Sequence, residues 1–161
     1  MPACTATELI EQLRLLPHPE GGWFLVTPVE MPPVSASALP PGYSGARESA
    51  SLIYYLLQKG EVSRWHQLRS AEMWLWHCGG GLEMTLGGTG PLPAPAGTLL
   101  LGSRLADGER FQILAPANQW QTTRLVHGEF ALVSCVVSPA FHDDDCYMPL
   151  LDEQGRPAES R

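Results

Sequence analysis

Short runs of apolar and β-branched residues recur along the chain after residue 20, and clusters of Gly, Pro, Asn and Asp separate them. Runs of this kind between turn residues predict β-strands. The predicted strands are Trp23–Val26, Ser51–Leu57, Val62–Leu68, Glu72–His77, Leu82–Leu86, Thr98–Leu101, Phe111–Leu114, Trp120–Val126 and Phe130–Val137. Closely spaced short strands indicate an all-β sandwich or barrel. A parallel βαβ fold is excluded, because its crossovers need helices that the pattern does not supply.

One helical pattern stands at the N-terminus. Thr5 and Glu8 have the spacing of a capping box, and Leu9, Ile10 and Leu13 follow at helical spacing. We expect a short helix over Thr5–Leu15, packed on the barrel as part of an N-terminal segment, residues 1–16. The barrel is expected over residues 17–151, including a loop over 31–45. The polar residues 152–161 are expected to form a flexible tail.

The balance of charge limits the partners. The formal net charge of -7 repels phosphate backbones, so we expect no nucleic-acid partner. No apolar run approaches the about 18 residues that span a bilayer, and no signal peptide precedes the helix, so we expect a cytoplasmic protein without a membrane partner. The 4 cysteines are scattered without a C-x-x-C pair, which argues against a zinc ribbon or a dithiol redox site.

Candidate chemistry lies in two neighbouring strands. Alternation in Val62–Leu68 predicts Arg64, His66 and Leu68 on one face, and the next strand presents Glu72 and Trp74 together. An antiparallel pairing brings His66 close to Glu72 inside the barrel. An imidazole beside a carboxylate serves either as two metal ligands or as an acid–base pair, and a structural hydrogen bond is the alternative to both.

The spacing of these residues resembles two known motifs. Gly60, His66, Leu68, Glu72 and Gly79 match the first cupin motif, G-x5-H-x-H-x3-E-x6-G, except that Leu68 replaces the second His. The stretch from Pro116 to Gln121 is similar to the second motif, P-x-G-x-x-H, with Gln121 in place of the last His. Further segments resemble a family of small single-domain cupins of unknown function, the fifth cupin superfamily family. They are residues 17–24, 53–57, 65–66, 72–74, 120–121 and 130–133.

The resemblance implies a cupin double-stranded β-helix, or jelly-roll, barrel that forms a homodimer. It also implies a small-molecule pocket among His66, Glu72 and Gln121, with Asp145 as a hydrogen-bonding anchor nearby. Structures in this family look similar to dTDP-4-dehydrorhamnose 3,5-epimerase and to seed-storage proteins. An isomerase and a plain ligand-binding module are therefore both implied.

The residues of the predicted pocket favour a site without a metal over a metal site. His66, Glu72 and Gln121 offer a divalent ion only one imidazole, and the loss of nitrogen donors lowers affinity for transition metals. We therefore expect no cofactor, or at most a weakly bound divalent metal.

Three functions remain open at this stage. The first is a metal-independent isomerase or epimerase of a carbonyl or sugar-like substrate, in which His66 is the base and Glu72 its partner. Arg64 and Gln121 then bind the substrate, Leu68 and Trp74 line the pocket, and Tyr54 or Tyr55 returns a proton. The second is a non-catalytic module that binds a small ligand, and the third is a metal-dependent lyase or oxygenase.

Overall fold

The computed structural model describes residues 4–149, which form one α-helix, three single-turn 3-10 helices and eleven strands. The elements are α1 (Ala6–Leu13), β1 (Leu16–Pro17), β2 (Trp23–Val26), β3 (Pro33–Val34), β4 (Arg47–Glu48), β5 (Ser51–Gln58), β6 (Val62–Leu68), β7 (Ala71–Leu86), β8 (Gly97–Leu101), β9 (Gln112–Ala115), β10 (Trp120–Ser138) and β11 (Cys146–Tyr147). The all-β prediction with one N-terminal helix is confirmed. The predicted tail over 152–161 lies outside the described residues.

The helix α1 begins with the predicted capping box. The Glu8 backbone N–H donates to the Thr5 hydroxyl, and the Thr5 backbone N–H donates to the Glu8 carboxylate. The helix ends at Leu13, earlier than expected, because Arg14 adopts a left-handed conformation with φ of 56°. Its apolar side packs on Leu56 and Leu132, on the outside of the barrel. Within the described residues, no helix is long and apolar enough to cross a membrane.

Two antiparallel sheets face each other, and the long strands β7 and β10 run through both. The first sheet has the order β1-β2-β5-β10-β7-β9 and uses the second half of β10 with the first half of β7. The second has the order β11-β6-β10-β7-β8 and uses the other halves. A separate pair, β3 and β4, lies in and beside the predicted loop over 31–45. The chain thus closes a barrel in which β5 and β6 lie on opposite sides of the interior.

The sequence predicted separate strands on either side of residues 78–81 and of residues 127–129, whereas the structure has a bend inside one strand at each place. Gly79–Gly81 lies within β7 and His127–Gly128 within β10, and the pairing of the two strands shifts register there. A Cβ atom on Gly80 would stand 1.8 Å from the His127 carbonyl oxygen. The glycines therefore let two backbones cross in close contact, where each strand passes from one sheet to the other.

The interior between the sheets divides into two regions. Leu57, Leu82, Met84, Leu101 and Val133 fill one end as a closed apolar core. The inward side chains at the other end leave a cavity. Alternation along β5 illustrates the division, since its residues 51, 53 and 55 line the cavity whereas residue 57 lies in the core.

Candidate functional site

A cavity of about 220 Å³ opens between the sheets. Strands β2, β5, β6, β7 and β10 line it, together with the turn before β2 and the segment after β10. The residues on its walls are His18, Glu20, Phe24, Val26, Ser51, Ile53, Tyr55, His66, Leu68, Glu72, Trp74, Cys135, Val137 and Phe141. Its volume lies below the about 300–1,000 Å³ of pockets for drug-sized ligands, so the cavity suits a smaller molecule.

His66 lies between two carboxylates at the polar side of the cavity. Its Nδ1–H donates to the Arg64 carbonyl oxygen at 2.8 Å, and Glu20 Oε2 lies 3.3 Å from the same nitrogen. On the other side of the ring, Nε2 lies 4.0 Å from Glu72 Oε2. Because the backbone carbonyl only accepts, it fixes the proton on Nδ1 and leaves Nε2 as the nitrogen that can exchange a proton with a ligand.

A β-bulge sets which residues of β6 point inward. Ser63 pairs with Thr123 and His66 pairs with Gln121, so β6 has one residue more than β10 over this stretch. The alternation shifts at the bulge, and Ser63, His66 and Leu68 become buried. Arg64 is exposed instead, and its guanidinium donates to the Pro19 carbonyl oxygen. The prediction that Arg64 shares a face with His66 is therefore wrong.

The structure brings Glu72 and Gln121 together with His66. Gln121 Nε2 donates to Glu72 Oε2 at 2.6 Å, and both residues are buried. Gln121 does not line the cavity, so it orients the Glu72 carboxylate from behind. Leu68 and Trp74 lie on the walls, as the alternation predicts.

Two candidate residues lie away from the cavity. Tyr54 points to the outer face of β5, where it packs near α1, whereas Tyr55 lines the cavity and its hydroxyl donates to the Gly21 carbonyl oxygen at 2.6 Å. Asp145 is buried in an ion cluster, 2.7 Å from Arg47 Nε and 3.1 Å from Arg69 Nε. The placement of Tyr54 in the pocket is wrong, because it is Tyr55 that has the inward position, and Asp145 holds two loops together outside the cavity.

Glu20 is the residue that motif spacing missed. It lies two residues after His18, whose Nδ1 accepts the Glu20 backbone N–H at 3.1 Å, and directly before Gly21. Gly21 has φ of 109°, and a Cβ atom there would lie 2.2 Å from the Val62 carbonyl oxygen. The turn therefore presses against β6 and buries Glu20 beside His66. An acid between Pro19 and a glycine pair is the signal that was present in the sequence.

Burial and charge shift the pKa values of this cluster in opposite directions. Burial acts to lower the pKa of His66, but the Glu20 and Glu72 carboxylates outweigh it and raise the pKa to about 9. Burial raises the pKa of Glu20. Burial also disfavours ionised Glu72, but its interaction with His66 holds that pKa below the ordinary value. Burial and the neighbouring His66 charge lower the pKa of His18 to about 4, so His18 is neutral at pH 7.

The donor set does not fit a resident transition metal. Among residues 4–149, no three His, Cys, Asp or Glu side chains converge as ligands of one ion. Leu68 supplies no donor, the amide nitrogen of Gln121 faces Glu72, and Nδ1 of His66 is bound to a carbonyl. One free imidazole nitrogen with an oxygen donor is less than such sites use.

Comparison with known proteins places this geometry in a family. The chain is similar to a hypothetical protein from Leishmania major, with 26% identity and a TM-score of 0.79 over 92% of this chain and 88% of that one. It is also similar to protein SO0799 from Shewanella oneidensis, with 35% identity and a TM-score of 0.74 over 91% and 85%. A mutant oxalate decarboxylase from Bacillus subtilis, 15% identical, shares the fold with a TM-score of 0.53 over 82% of this chain and 29% of that one.

The search of curated proteins finds no match to the chain. The model of the family described as "Cupin superfamily (DUF985)" matches residues 7–149. This match covers the helix from its second residue, both sheets and every residue on the cavity wall. It confirms the cupin jelly-roll fold and the resemblance found in the motifs. The protein belongs to the DUF985 family of the cupin superfamily.

Proposed function

We propose that this protein is a metal-independent acid–base enzyme that moves a proton on a small carbonyl compound, as an isomerase or epimerase does. The array of Glu20, His66 and Glu72 beside the cavity carries the proposal. Enzymes of this class need an acid and a base in contact with one substrate, with pKa values set apart by their surroundings. The raised pKa values of Glu20 and His66 and the lowered pKa of Glu72 meet that requirement.

Each group then has a distinct role. With a pKa of about 9, His66 is an imidazolium at neutral pH, so it acts as the acid through Nε2 rather than as the base. Glu20 takes a proton from the carbon next to the carbonyl while His66 donates one to the carbonyl oxygen. In the second step Glu20 gives its proton to the neighbouring carbon, or to the same carbon after the enol has turned its other face to Glu20, and a hydroxyl of the enol returns its proton to Nε2 of His66. Glu72 stays ionised and stabilises the imidazolium.

Deuterium exchange tests this function. The protein is incubated in D₂O with small hydroxyketones, aminoketones and aldoses, and NMR follows exchange at the carbon beside each carbonyl. We expect exchange with at least one class, and a loss of about 100-fold or more in Glu20→Gln and in His66→Gln. The exposed-site variant Glu129→Gln should keep the wild-type rate. Undiminished exchange in the two cavity variants, with folding checked by circular dichroism, contradicts the assignment.

A non-catalytic binding module is the second candidate. The Tyr55 hydroxyl favours it, because this hydroxyl is bound to the Gly21 carbonyl and is not free to serve as a second proton donor. On this reading the polar array recognises a ligand without reacting with it. Absence of exchange with every carbonyl class, from a protein that binds small molecules in the cavity, would support the module and overturn the enzyme.

A further inference from the structure

The cavity wall has two carboxylates, and its basic side chains, within the described residues, are the imidazoles of His18 and His66. Glu20 and Glu72 lie on its wall, whereas none of the Lys and Arg residues within 4–149 does. The arginines closest in the sequence to the site are engaged elsewhere: Arg64 is exposed, and Arg47 and Arg69 bind Asp145. A ligand with a phosphate or carboxylate would therefore meet two carboxylates without a guanidinium or ammonium partner.

The positive charge inside the cavity does not balance the negative charge. His66 faces both carboxylates, and it supplies at most one positive charge. The His18 ring is a neutral acceptor for the Glu20 backbone N–H. When both carboxylates are ionised, one of them has no counter-ion among the described residues of the cavity wall. An unbalanced buried carboxylate costs free energy, and a cationic ligand offsets that cost.

The remaining walls are aromatic. The Tyr55 and Trp74 rings meet edge to face with centroids 5.4 Å apart, and the His18 and Phe24 rings do so at 4.5 Å. Phe141 completes the aromatic wall of the cavity. Aromatic ring faces attract alkylated ammonium groups, whose methyl groups also gain from burial in apolar surroundings.

We propose that the cavity binds a small organic cation, with its charge at Glu20 and its apolar groups against Phe24, Tyr55 and Trp74. The inference deepens the proposed function, on which it rests for one point, that the bound molecule is the substrate. That substrate is then a carbonyl compound with an amine or alkylated ammonium group, and a phosphorylated or nucleotide-linked sugar is excluded from the cavity.

Three probes of similar size and different charge test whether the cavity prefers a cation to a neutral molecule or an anion. Tetramethylammonium, tert-butanol and pivalate are titrated into the protein by calorimetry at one ionic strength. We expect tetramethylammonium to bind at least about tenfold more tightly than tert-butanol. Pivalate should show no measurable binding. Equal affinity for tetramethylammonium and tert-butanol, or tighter binding of pivalate, overturns the inference.

Two variants locate the binding. Glu20→Gln should weaken tetramethylammonium binding by at least about tenfold and leave tert-butanol unchanged, because only the charge is lost. Phe24→Leu keeps an apolar wall and should weaken the cation alone, by about threefold or more, so it serves if Glu20→Gln does not fold. Glu129→Gln, at an exposed carboxylate, should bind all probes as the wild type does. An unchanged cation affinity in a folded Glu20→Gln or Phe24→Leu protein contradicts the site.

This result is separable from that of the exchange assay. Cation selectivity without any proton exchange supports the binding site and overturns the enzyme. Exchange that depends on Glu20, in a protein with no preference for the cation, supports the enzyme and overturns the cation site.

Discussion

Because His66 holds a proton in the folded protein, we expect the free energy of unfolding to fall as the pH becomes alkaline. The pKa of His66 is about 9 in the folded protein, against the ordinary value of 6.5 that applies to the unfolded chain. The folded state therefore holds this proton more tightly than the unfolded state. Its contribution to the free energy of unfolding is complete below pH 6.5, falls as the pH rises, and is lost above about pH 9.

The size of the loss follows from the same two values. Each factor of ten in proton affinity is worth about 1.4 kcal/mol, so the step from 6.5 to about 9 corresponds to on the order of 3 kcal/mol. Because the His66 side chain is 3% exposed, solvent screens its ion pairs little. A loss of this size is a large part of the stability of a domain, which is about 5–15 kcal/mol.

Urea unfolding of the wild type and of His66→Gln, at intervals from pH 6.5 to 9.5, measures the contribution. The difference between the two free energies of unfolding should shrink by on the order of 3 kcal/mol over that range. NMR titration of the imidazole should give a midpoint near 9 in the wild type and a lower midpoint in Glu20→Gln. His142→Gln, at an exposed histidine, should follow the wild type. A His66 midpoint at or below 6.5 would refute the charge assignment.

Other predictions concern folding and assembly. Gly80→Ala places a methyl group against a backbone oxygen and should lower the free energy of unfolding by about 2 kcal/mol or more. A Cβ atom at Gly97 meets nothing, so a comparable loss of stability in Gly97→Ala would contradict this reasoning. Arg47→Ala should lower the free energy of unfolding by about 3 kcal/mol, because it leaves the buried Asp145 with one partner fewer. Lys59→Ala, at an exposed ion pair, should lower it by less than about 1 kcal/mol. Equal losses in the two variants would contradict the greater weight of the buried pair. We also predict a homodimer, and light scattering at the mass of one chain would refute it.

Local patterns were sufficient to predict most of the fold. The strands over Trp23–Val26 and Val62–Leu68 have the predicted bounds, because turn residues precede each run, Gly21 and Gly22 before the first and Gly60 before the second. The glycines of Gly79–Gly81 were interpreted as a break between two strands, but they are equally compatible with a bend within one strand. Only the crossing with β10 decides between them, and that contact joins residues far apart in the sequence.

The same limit applies to the faces of the strands near the cavity. Alternation placed His66 and Leu68 correctly inside, but a one-residue bulge moved Arg64 to the surface. Bulges arise from the register between two strands, and a single strand carries no local signal for them. The prediction that Arg64 lines the pocket therefore failed together with the register.

Which group is the base depends on a contact that no motif contains. A histidine beside one carboxylate is the usual arrangement of a general base with its orienting partner, and this is how the spacing of His66 and Glu72 was interpreted. The turn before β2 adds Glu20 from the opposite side, and two carboxylates hold the imidazole proton too firmly for it to act as a base at neutral pH. In the proposed reaction the base is therefore Glu20, the carboxylate whose ionised form burial disfavours. In that proposal a third charged group, which the fold brings beside the motif, exchanges the roles of acid and base without any change in the motif itself.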